Sequence, residues 1–371
     1  MNFDFLIMSQ PVFYRKYRPK TFSEVINQKI VLKVLTNGIK KNQLSHAYLF
    51  AGPRGTGKTT VARLLAKSLN CENRKEGTYE PCNKCNSCIE INENRSLDLI
   101  EIDAASNRGI DDIRALKENI KFPPVKSRYK IFIIDEAHQL TQEAFNALLK
   151  TLEEPPPYII FILATTEPDK LPPTILSRVE RYDFKRLSLD DIIERLEEIS
   201  KLENIDIDKE SLRLIALHSE GGLRDAESLL GQIALVTDKK ITKEDVEAII
   251  GAVNFEKVKR FIDIMNKKDK TKAIEFVNRL YEDGYDLEIF TKEVIEYLRK
   301  LLLLKISSSL GEIIEKETTE EEMSVLFKQA QEWETNVLER YLRKLNDISW
   351  QWKNSPVPTL PLELFISEEL I

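Results

Sequence analysis

The sequence predicts an α/β domain with a parallel sheet, followed by two helical domains. Short apolar segments alternate with helix-like segments over residues 44–184, which is the pattern of a βαβ succession. After about residue 186 the apolar residues recur at helical spacing, and no second series of strand-like segments follows. We therefore expect domains at residues 1–185, 186–250 and 251–371.

Five strand candidates lie in the first domain. They are rich in Ile, Phe, Leu and Tyr and lack strict alternation, which indicates that helices cover both faces of the sheet. The candidates are AYLFA (47–51), LDLIEID (97–103), YKIFIID (129–135), YIIFILATT (158–166) and ERYDF (180–184). The helix candidates between them are KTTVARLLAKSLN, DDIRALKENIKF and TQEAFNALLKTLEE. The last of these stops at Pro155, because proline cannot continue a helix.

The two later domains consist of amphipathic helix candidates. Asp, Ser or Thr stands near the start of most of those in residues 186–250, as helix N-caps prefer. The most apolar helix candidate of residues 251–371 is FTKEVIEYLRKLLLLKI. Both domains are therefore predicted to be all-helical.

Composition excludes several classes of protein. The 371 residues are 42% hydrophobic and 31% charged, as in an ordinary globular protein, and no apolar run is long enough to cross a membrane. The net charge of −6 argues against a protein that coats nucleic acid by bulk electrostatics. The N-terminal MNFDFLIMSQ lacks the basic start and the cleavage site of a secretory signal, so we expect a cytoplasmic protein.

A phosphate loop is predicted between the first strand candidate and the following helix. GPRGTGKTT (52–60) matches G-x-x-x-x-G-K-[ST] in the strand-loop-helix context that this motif requires. Its glycines let backbone N–H groups turn toward phosphate oxygens, Lys58 reaches the β- and γ-phosphates, and the Thr59 hydroxyl ligates magnesium. The predicted ATP-binding residues of the loop are Gly52, Pro53, Arg54, Gly55, Thr56, Gly57, Lys58, Thr59 and Thr60.

Two carboxylates supply the second half of this site. KIFIIDEAH (130–138) places Asp135 and Glu136 at the carboxyl end of a buried strand, where ligands of open α/β sheets bind. We expect Asp135 to hold magnesium through water and Glu136 to polarise the attacking water. Thr166, at the end of the next strand, is placed to hydrogen-bond the γ-phosphate or that water. The alternative is that the acidic pair only caps the following helix.

The cysteines indicate a metal site. All four lie within CENRKEGTYEPCNKCNSC (71–88), with the spacing C-x10-C-x2-C-x2-C. Four thiolates at such spacing can hold zinc tetrahedrally, and closed four-cysteine sites are structural. The predicted zinc ligands are Cys71, Cys82, Cys85 and Cys88. An iron–sulfur cluster or a redox pair is the alternative.

Longer segments of the chain resemble one family. Over residues 12–250 the chain is similar to the gamma/tau subunits of bacterial DNA polymerase III, which are the AAA+ ATPases of the clamp loader. The resemblance implies an α/β ATPase domain with a four-cysteine zinc module, a small helical lid domain and a C-terminal helical collar domain. It rests on HAYLFAGPRGTGKTT, KIFIIDEAHQLTQEAFNALLKTLEEPP, FILATTEPDKLPPTILSR and EGGLRDAESLL.

The resemblance also assigns roles to single residues. Thr166 falls at the sensor-1 position, and Arg224 of GGLRDAES falls at sensor 2, which contacts the γ-phosphate of its own chain from the lid. Arg178 falls at the family's Ser-Arg-Cys position, with Val179 in place of the cysteine, and is implied to enter the ATP site of the adjacent subunit in trans. YRKYRPKTF (14–22) resembles the family's opening segment, which packs near the adenine and ribose.

Simpler explanations stay open for both arginines. Arg178 is also explained as a solvated surface residue. Arg224 is also explained as a helix-surface residue paired with Asp225 or Glu227. Only the positions of these side chains in the fold can separate the two interpretations.

Partners follow from the resemblance as well. It implies a pentamer with subunits of delta and delta-prime type, which uses ATP to open a sliding clamp and load it onto primer-template DNA during replication. Contact with DNA phosphates needs charge and position but no base readout. The candidates for such contacts are Arg108, Arg114 and Lys150, each of which is equally explained as a solvated residue.

Three other functions compete with this interpretation. A helicase would fit the DEAH spelling of residues 135–138, but it would need a second α/β motor domain. A scaffold that binds ATP without hydrolysing it would have no need of Lys58, Asp135 and Glu136 together. A relative that acts in recombination or repair would differ in its DNA substrate.

Overall fold

The computed structural model describes most of the chain and divides it into two compact units, Met1–Asp238 and Lys239–Ile371. Each unit is described by itself. The finer division into domains at 185 and 250 stays a prediction. The described residues are 12–107, 109–235, 240–250, 255–307, 320–349 and 355–370, with Leu310, Gly311, Ile314, Thr318 and Trp352.

A parallel sheet forms the centre of the first unit. Within the described residues it has five strands in the order β2-β3-β4-β1-β5, and every neighbouring pair is parallel. This confirms the predicted α/β class. The carboxyl ends of all the strands meet at one edge, which is where the candidate residues lie. The strands are β1 (Ala47–Ala51), β2 (Leu99–Asp103), β3 (Lys130–Asp135), β4 (Ile159–Thr165) and β5 (Glu180–Asp183).

Both faces of the sheet are buried, as the strand composition predicted. Successive side chains of a strand point to opposite faces, so the central strands contribute to two separate cores. One core contains Phe132, Ile134, Phe161 and Leu163. The other contains Ile131, Ile133, Ile160 and Ile162.

Helices surround this sheet. The sequence TQEAFNALLKTLEE forms α6, which the Thr141 hydroxyl caps by accepting from the Ala144 N–H, and which ends before Pro155. Short 3₁₀ turns cover Phe22–Glu24, Ala137–Gln139 and Pro168–Lys170. The helices up to β5 are α1 (Phe13–Lys16), α2 (Lys29–Lys41), α3 (Lys58–Asn70), α4 (Asn86–Asn92), α5 (Ile110–Ile120), α6 (Gln142–Glu153) and α7 (Pro173–Leu176).

A helical segment follows β5 within the same unit. Ser188 and Asp191 form a capping box at the start of the first helix, and Asp208 caps the second, as the polar residues at these positions predicted. The third helix begins directly after Gly222. These helices are α8 (Leu189–Glu203), α9 (Lys209–His218) and α10 (Leu223–Ile233). We call them the lid helices.

The elements of the second unit that the structure describes are helices, which confirms the prediction for this part of the chain. Its core includes Phe261, Phe290, Leu301, Leu326 and Phe365, all almost fully buried. Among the described residues, no helix has the length and apolarity needed to cross a membrane. The helices are α11 (Lys243–Ile250), α12 (Phe255–Asn266), α13 (Lys270–Glu282), α14 (Leu287–Ile306), α15 (Glu320–Glu332), α16 (Thr335–Ser349) and α17 (Leu360–Glu369).

Candidate nucleotide-binding site

The phosphate loop connects the carboxyl end of β1 to the first turn of α3. Gly52 and Gly55 have φ angles of 147° and 75°, which favour glycine. A side chain at Gly52 would overlap the carbonyl oxygen of Phe184, and one at Gly55 would come within 2.9 Å of Gly222 Cα. The glycines therefore serve both the curl of the loop and its close packing against β5 and the start of α10.

Lys58 is the buried cation of this loop. Its Nζ donates to the carbonyl oxygens of Gly52 at 2.7 Å and Pro53 at 2.8 Å. Burial lowers the pKa of Lys58, and the nearby carboxylates of Glu136 and Asp135 oppose that shift. The ammonium is therefore held within the loop and faces two negative groups.

The acidic pair lies directly opposite the loop. Thr59 Oγ1 donates to Asp135 Oδ2 at 2.7 Å, and the Glu136 N–H donates to Asp135 Oδ1 at 3.0 Å. Thr166 Oγ1 donates to Glu136 Oε2 at 3.3 Å. Four of the predicted residues, drawn from three separate segments, thus form one hydrogen-bonded chain at the carboxyl edge of the sheet.

Glu136 has an unusual backbone. Its φ of 48° lies in the left-handed region, which costs energy for a residue other than glycine. The conformation turns the chain sharply after β3 and separates the two carboxylates, so that Asp135 bonds Thr59 and Glu136 bonds Thr166. The alternative in which the pair only caps a helix does not account for these contacts.

His138 is a residue of this site to which the sequence assigned no role. Its side chain is only 5% exposed, and its Nδ1 lies 3.0 Å from Thr165 Oγ1 and 3.6 Å from Glu136 Oε2. Its Nε2 lies 3.3 Å from Glu167 Oε1. The imidazole therefore braces the end of β4 against Glu136. Its position within the DEAH spelling was the only sequence signal.

Gln28 is a second residue that sequence reasoning missed. It is 4% exposed, and its Nε2 donates to the carbonyl oxygens of Lys185 at 2.7 Å and Thr56 at 3.4 Å. Its Oε1 accepts from the Lys185 N–H at 3.1 Å. One buried amide thus joins the phosphate loop to the segment that leads into the lid helices. No local sequence pattern marks such a contact.

Arg224 lies in the first turn of α10, beside the phosphate loop. Its guanidinium lies 4.7 Å from the centre of the Tyr14 ring, and it lowers the pKa of the Tyr14 hydroxyl. The two carboxylates considered as its partners are paired elsewhere, Asp225 with Arg54 at 3.8 Å and Glu227 with Arg195 at 3.5 Å. Arg224 itself is exposed, at the junction of the lid helices and the phosphate loop.

Arg178 follows α7 in the same unit. Its Nη2 lies 2.6 Å from Glu153 Oε1, and its Nη1 donates to the Thr174 carbonyl oxygen at 2.7 Å and to Ser177 Oγ at 2.9 Å. The side chain is still 31% exposed. These contacts orient the guanidinium against α6 and α7 rather than leaving it free in solvent.

The cysteine side chains come together as the spacing predicted. The sulfurs of Cys71, Cys82, Cys85 and Cys88 all lie within 4.8 Å of one another. Burial would raise the pKa of Cys82, but the N–H groups of Lys84 and Cys85 point at its sulfur and lower the pKa to about 6. A thiolate is the form that binds metal, so the donor set and its hydrogen bonds fit a tetrahedral metal ion.

The predicted DNA contacts involve three basic residues of the first unit. Arg108 lies outside the described residues. Arg114 lies in α5, and its side chain is not among those described. Lys150 is exposed on α6. All three assignments stay predictions.

Together, the parallel sheet, the phosphate loop with its facing carboxylates and the lid helices define a P-loop ATPase fold of the AAA+ class. Three family models match successive parts of the chain. The DNA polymerase III delta subunit matches residues 27–188, and the ATPase lid domain of the clamp loader subunit matches residues 191–237. Domain III of the DNA polymerase III subunits gamma and tau matches residues 241–366.

Curated relatives agree with these matches. The DNA polymerase III subunit tau of Bacillus subtilis is 43% identical over 322 residues, which cover 87% of this chain and 57% of the relative. The subunit gamma of Buchnera aphidicola from Acyrthosiphon pisum is 39% identical over 324 residues, which cover 87% of this chain and 88% of the relative. The chain belongs to the gamma/tau family of DNA polymerase III. It spans about half the length of its tau relatives, 57% and 47% of those of Bacillus subtilis and Escherichia coli.

A solved structure shows a more distant likeness. The RuvB Holliday junction branch migration motor of Thermotoga maritima is 21% identical, with a TM-score of 0.47. The aligned part covers 67% of this chain and 79% of that protein.

Proposed function

We propose that this chain is the ATP-hydrolysing motor subunit of a bacterial clamp loader, which opens a sliding clamp and places it on primed DNA. One observation carries the proposal. Lys58, Thr59, Asp135, Glu136 and Thr166 meet at one edge of the sheet, with Thr59 Oγ1 2.7 Å from Asp135 Oδ2. This set provides the lysine, the groups for magnesium and the groups that position the attacking water in a P-loop ATPase.

Nucleotide binding is assigned to the loop of residues 52–60. Its backbone N–H groups and the start of α3 bind the phosphates, and Lys58 reaches their outer oxygens. Thr59 would ligate magnesium through its hydroxyl and Asp135 would hold the ion through water, since the ion prefers oxygen ligands and keeps several waters. When bound, it would neutralise charge on the phosphates.

Hydrolysis uses residues on both sides of the loop. Glu136 polarises the attacking water, and Thr166, at the sensor-1 position, helps to orient it. Arg224 reaches the γ-phosphate of its own chain from the lid, at the sensor-2 position. Since Gly55 packs on Gly222, a small movement of α10 changes the distance between Arg224 and the loop.

Arg178 completes the site of an adjacent subunit. Its contacts to Glu153 and to the end of α7 leave the guanidinium partly exposed, as a group that acts in trans requires. An arginine supplied to a phosphoryl-transfer site in this way accelerates other enzymes by roughly 10³–10⁵. The catalytic unit is then the junction between two chains.

The partners belong to the same proposal. Delta- and delta-prime-type subunits complete a pentamer, in which residues 186–250 are the lid domain and residues 251–371 the oligomerising collar. ATP binding orders the assembly and raises its affinity for clamp and DNA, and hydrolysis releases both in the cytoplasm. Arg108, Arg114 and Lys150 contact DNA phosphates, and zinc on the four cysteines supports the ATPase domain structurally.

A mixing experiment tests the core of this mechanism. Lys58→Ala and Arg178→Ala chains are assayed for ATP turnover alone and mixed, with primed DNA, clamp and the partner subunits present. Arg181→Ala is the matched control, because Arg181 lies three residues away and pairs with Asp183 at the surface. We expect each of the first two variants to be nearly inactive, their mixture to recover turnover, and the control to resemble wild type.

The outcomes separate the competing functions. No recovery in mixed assemblies that demonstrably form would show that Arg178 acts in its own chain or not at all. Absence of turnover in the wild-type assembly would favour the scaffold. ATP turnover that is accompanied by unwinding of duplex DNA and does not respond to the clamp would favour a helicase. ATP turnover that is stimulated by branched DNA but not by the clamp would favour a repair relative.

A further inference from the structure

One segment of the first unit contacts the lid helices, the cysteine-containing residues 71–88 and the phosphate loop in turn. It consists of residues 13–28, FYRKYRPKTFSEVINQ, and we call it the N-terminal strap. Apart from α1 and one 3₁₀ turn it has no regular structure, so its path depends on contacts with its neighbours. Those contacts come from parts of the chain that are distant in sequence.

The first part of the strap is fastened to the lid helices. Tyr17 Oη donates to Glu203 Oε1 at 2.6 Å, and Lys16 Nζ lies 2.5 Å from the same oxygen. Arg195 Nη2 donates to the Tyr17 carbonyl oxygen at 2.8 Å. With Arg224 stacked over Tyr14, both α8 and α10 are tied to the strap.

The middle of the strap is fastened to the cysteine module, residues 71–88. The two oxygens of Glu80 accept from the N–H groups of Phe22 at 2.9 Å and Ser23 at 3.0 Å. Asn83 Nδ2 donates to the Lys20 carbonyl oxygen at 3.1 Å. The rings of Phe22 and Tyr79 pack with centroids 6.1 Å apart, and Phe22 is 3% exposed.

The last part of the strap is fastened beside the nucleotide site. Asn27 Nδ2 donates to Asp191 Oδ2 at 3.1 Å, which ties it to the start of α8. Gln28 joins the phosphate-loop residue Thr56 to Lys185, as described above. A displacement of the strap would therefore move the lid helices and the loop together.

The cysteine module can hold the N-terminal strap in place only if the backbone of the module is itself held in place. Residues 72–85 contain no helix or strand in the described structure, so their path depends on side-chain contacts and on the sulfur cluster. Two of these contacts fix the module on α3, since Ser68 Oγ donates to the Tyr79 carbonyl oxygen at 2.6 Å and Arg74 Nε donates to the Ser68 carbonyl oxygen at 2.8 Å. Glu80 and Asn83 flank Cys82, whose sulfur accepts from the N–H groups of Lys84 and Cys85 at 3.4 and 3.3 Å. A metal ion on Cys82 would fix the two side chains that grip the strap.

We propose that the cysteine module anchors the N-terminal strap, with Glu80 as the positioning residue, and through the strap sets the position of the lid on the nucleotide site. This gives the module a role in nucleotide affinity, although it contains no group that contacts nucleotide. The effect on affinity rests on the function proposed above. The effect on the lid helices does not, because it follows from contacts within the chain.

Three variants of the full chain test the anchor. Glu80→Ala removes both acceptors, Glu80→Gln keeps one oxygen acceptor, and Glu76→Ala is the control, an exposed carboxylate of the same module. Affinity for a fluorescent, slowly hydrolysed ATP analogue is measured beside amide hydrogen exchange of α8 and α10. Zinc per chain is measured on each sample, so that loss of the metal is separated from loss of the anchor.

We expect Glu80→Ala to bind the analogue about tenfold more weakly, since a pair of charge-assisted hydrogen bonds is lost. The affinity of Glu80→Gln for the analogue should lie between those of Glu80→Ala and wild type, and the affinity of Glu76→Ala should match that of wild type. Exchange of α8 and α10 should rise in the same order, with zinc content unchanged. Chelation of the metal should weaken binding by wild type but add little to Glu80→Ala, since both act through one connection.

Two results would overturn the anchor. One is a Glu80→Ala chain that keeps its zinc, binds the analogue like wild type and exchanges normally in the lid helices. If instead Glu80→Ala loses zinc or misfolds, Tyr17→Phe is the second variant, because the Tyr17 hydroxyl contacts Glu203 of α8. Unchanged amide exchange of α8 in Tyr17→Phe would then refute the connection between the strap and the lid helices. If wild type binds no nucleotide while lid exchange responds to Glu80, the proposed function fails and the anchor stands.

Discussion

The Thr59 hydroxyl lies 2.7 Å from Asp135 Oδ2, joining the first turn of α3 to the last residue of β3. The two residues are separated by 76 positions and meet because α3 begins, and β3 ends, at the carboxyl edge of the sheet. A hydroxyl and a carboxylate are both oxygen ligands that suit magnesium, and the proposed function assigns the ion to this pair.

Asp135→Asn should therefore remove the magnesium dependence of nucleotide binding. The variant keeps the shape of the side chain and a hydrogen bond to Thr59 but loses the charge. We expect the magnesium-dependent gain in affinity to fall at least about tenfold, with binding in EDTA unchanged. Titration of a fluorescent ATP analogue with and without magnesium measures this. Asp169→Asn, an exposed carboxylate after β4, is the control, and an equal loss in EDTA would contradict the assignment.

Glu136→Gln should separate binding from hydrolysis. Glutamine can still accept from Thr166 but cannot polarise the attacking water as a carboxylate does, so turnover should fall by roughly 10²–10⁴. Affinity for ATP should stay within about twofold, because Lys58 and the loop are unchanged. Single-turnover hydrolysis and equilibrium binding measure the two effects. Glu143→Gln, exposed on α6, should leave both unchanged, and a loss of affinity equal to the loss of rate would argue against the role of Glu136.

The cysteine cluster should carry zinc and stabilise the first unit. We expect one zinc ion per chain in purified protein and its loss in Cys88→Ser, because the Cys88 sulfur lies at the fully buried side of the cluster. Loss of the ion should lower the unfolding temperature, since metal binding is coupled to folding of this segment. Metal analysis and calorimetry measure the two effects. Visible absorption and bound iron would indicate an iron–sulfur cluster instead.

Glu227 should make stability depend on pH. Burial raises the pKa of this carboxyl in α10 from 4.5 to about 7, against the opposing charge of Arg195. The folded chain then holds the proton more tightly than the unfolded chain. The contribution of Glu227 to the free energy of unfolding is thus fully present below about pH 4.5 and is lost as the pH rises through about 7.

Glu227→Gln tests this dependence. Between pH 4.5 and pH 8, the free energy of unfolding of the variant should rise by about 3 kcal/mol relative to that of wild type. Urea unfolding at the two pH values measures it. Glu194→Gln replaces an exposed carboxylate on α8 and should show no such shift. If the free energies of unfolding of wild type and Glu227→Gln change in parallel with pH, the raised pKa of Glu227 is refuted.

Local patterns in the sequence were enough to predict much of this structure. The strand at 129–135 follows from its continuous apolar run and its helical neighbours from the helical spacing of their apolar residues, and the boundaries differ by only one or two positions. The strand candidate at 97–103 begins at Leu99, and the one at 158–166 ends at Thr165. The phosphate loop, the acidic pair and the cysteine spacing could also be recognised, because each motif lies within one continuous segment, of which the longest is residues 71–88.

The contacts that connect distant segments were decided only by the tertiary structure. Nothing near Gln28 in the sequence indicates that its amide bridges Thr56 and Lys185, and nothing near Glu80 indicates that it holds Phe22 and Ser23. The same holds for Arg178, whose partner Glu153 is the last residue of α6, 25 positions earlier in the chain. Periodicity and short motifs report which groups a segment can offer, whereas a pairing across the chain depends on how the packed sheet and helices bring those groups within bonding distance.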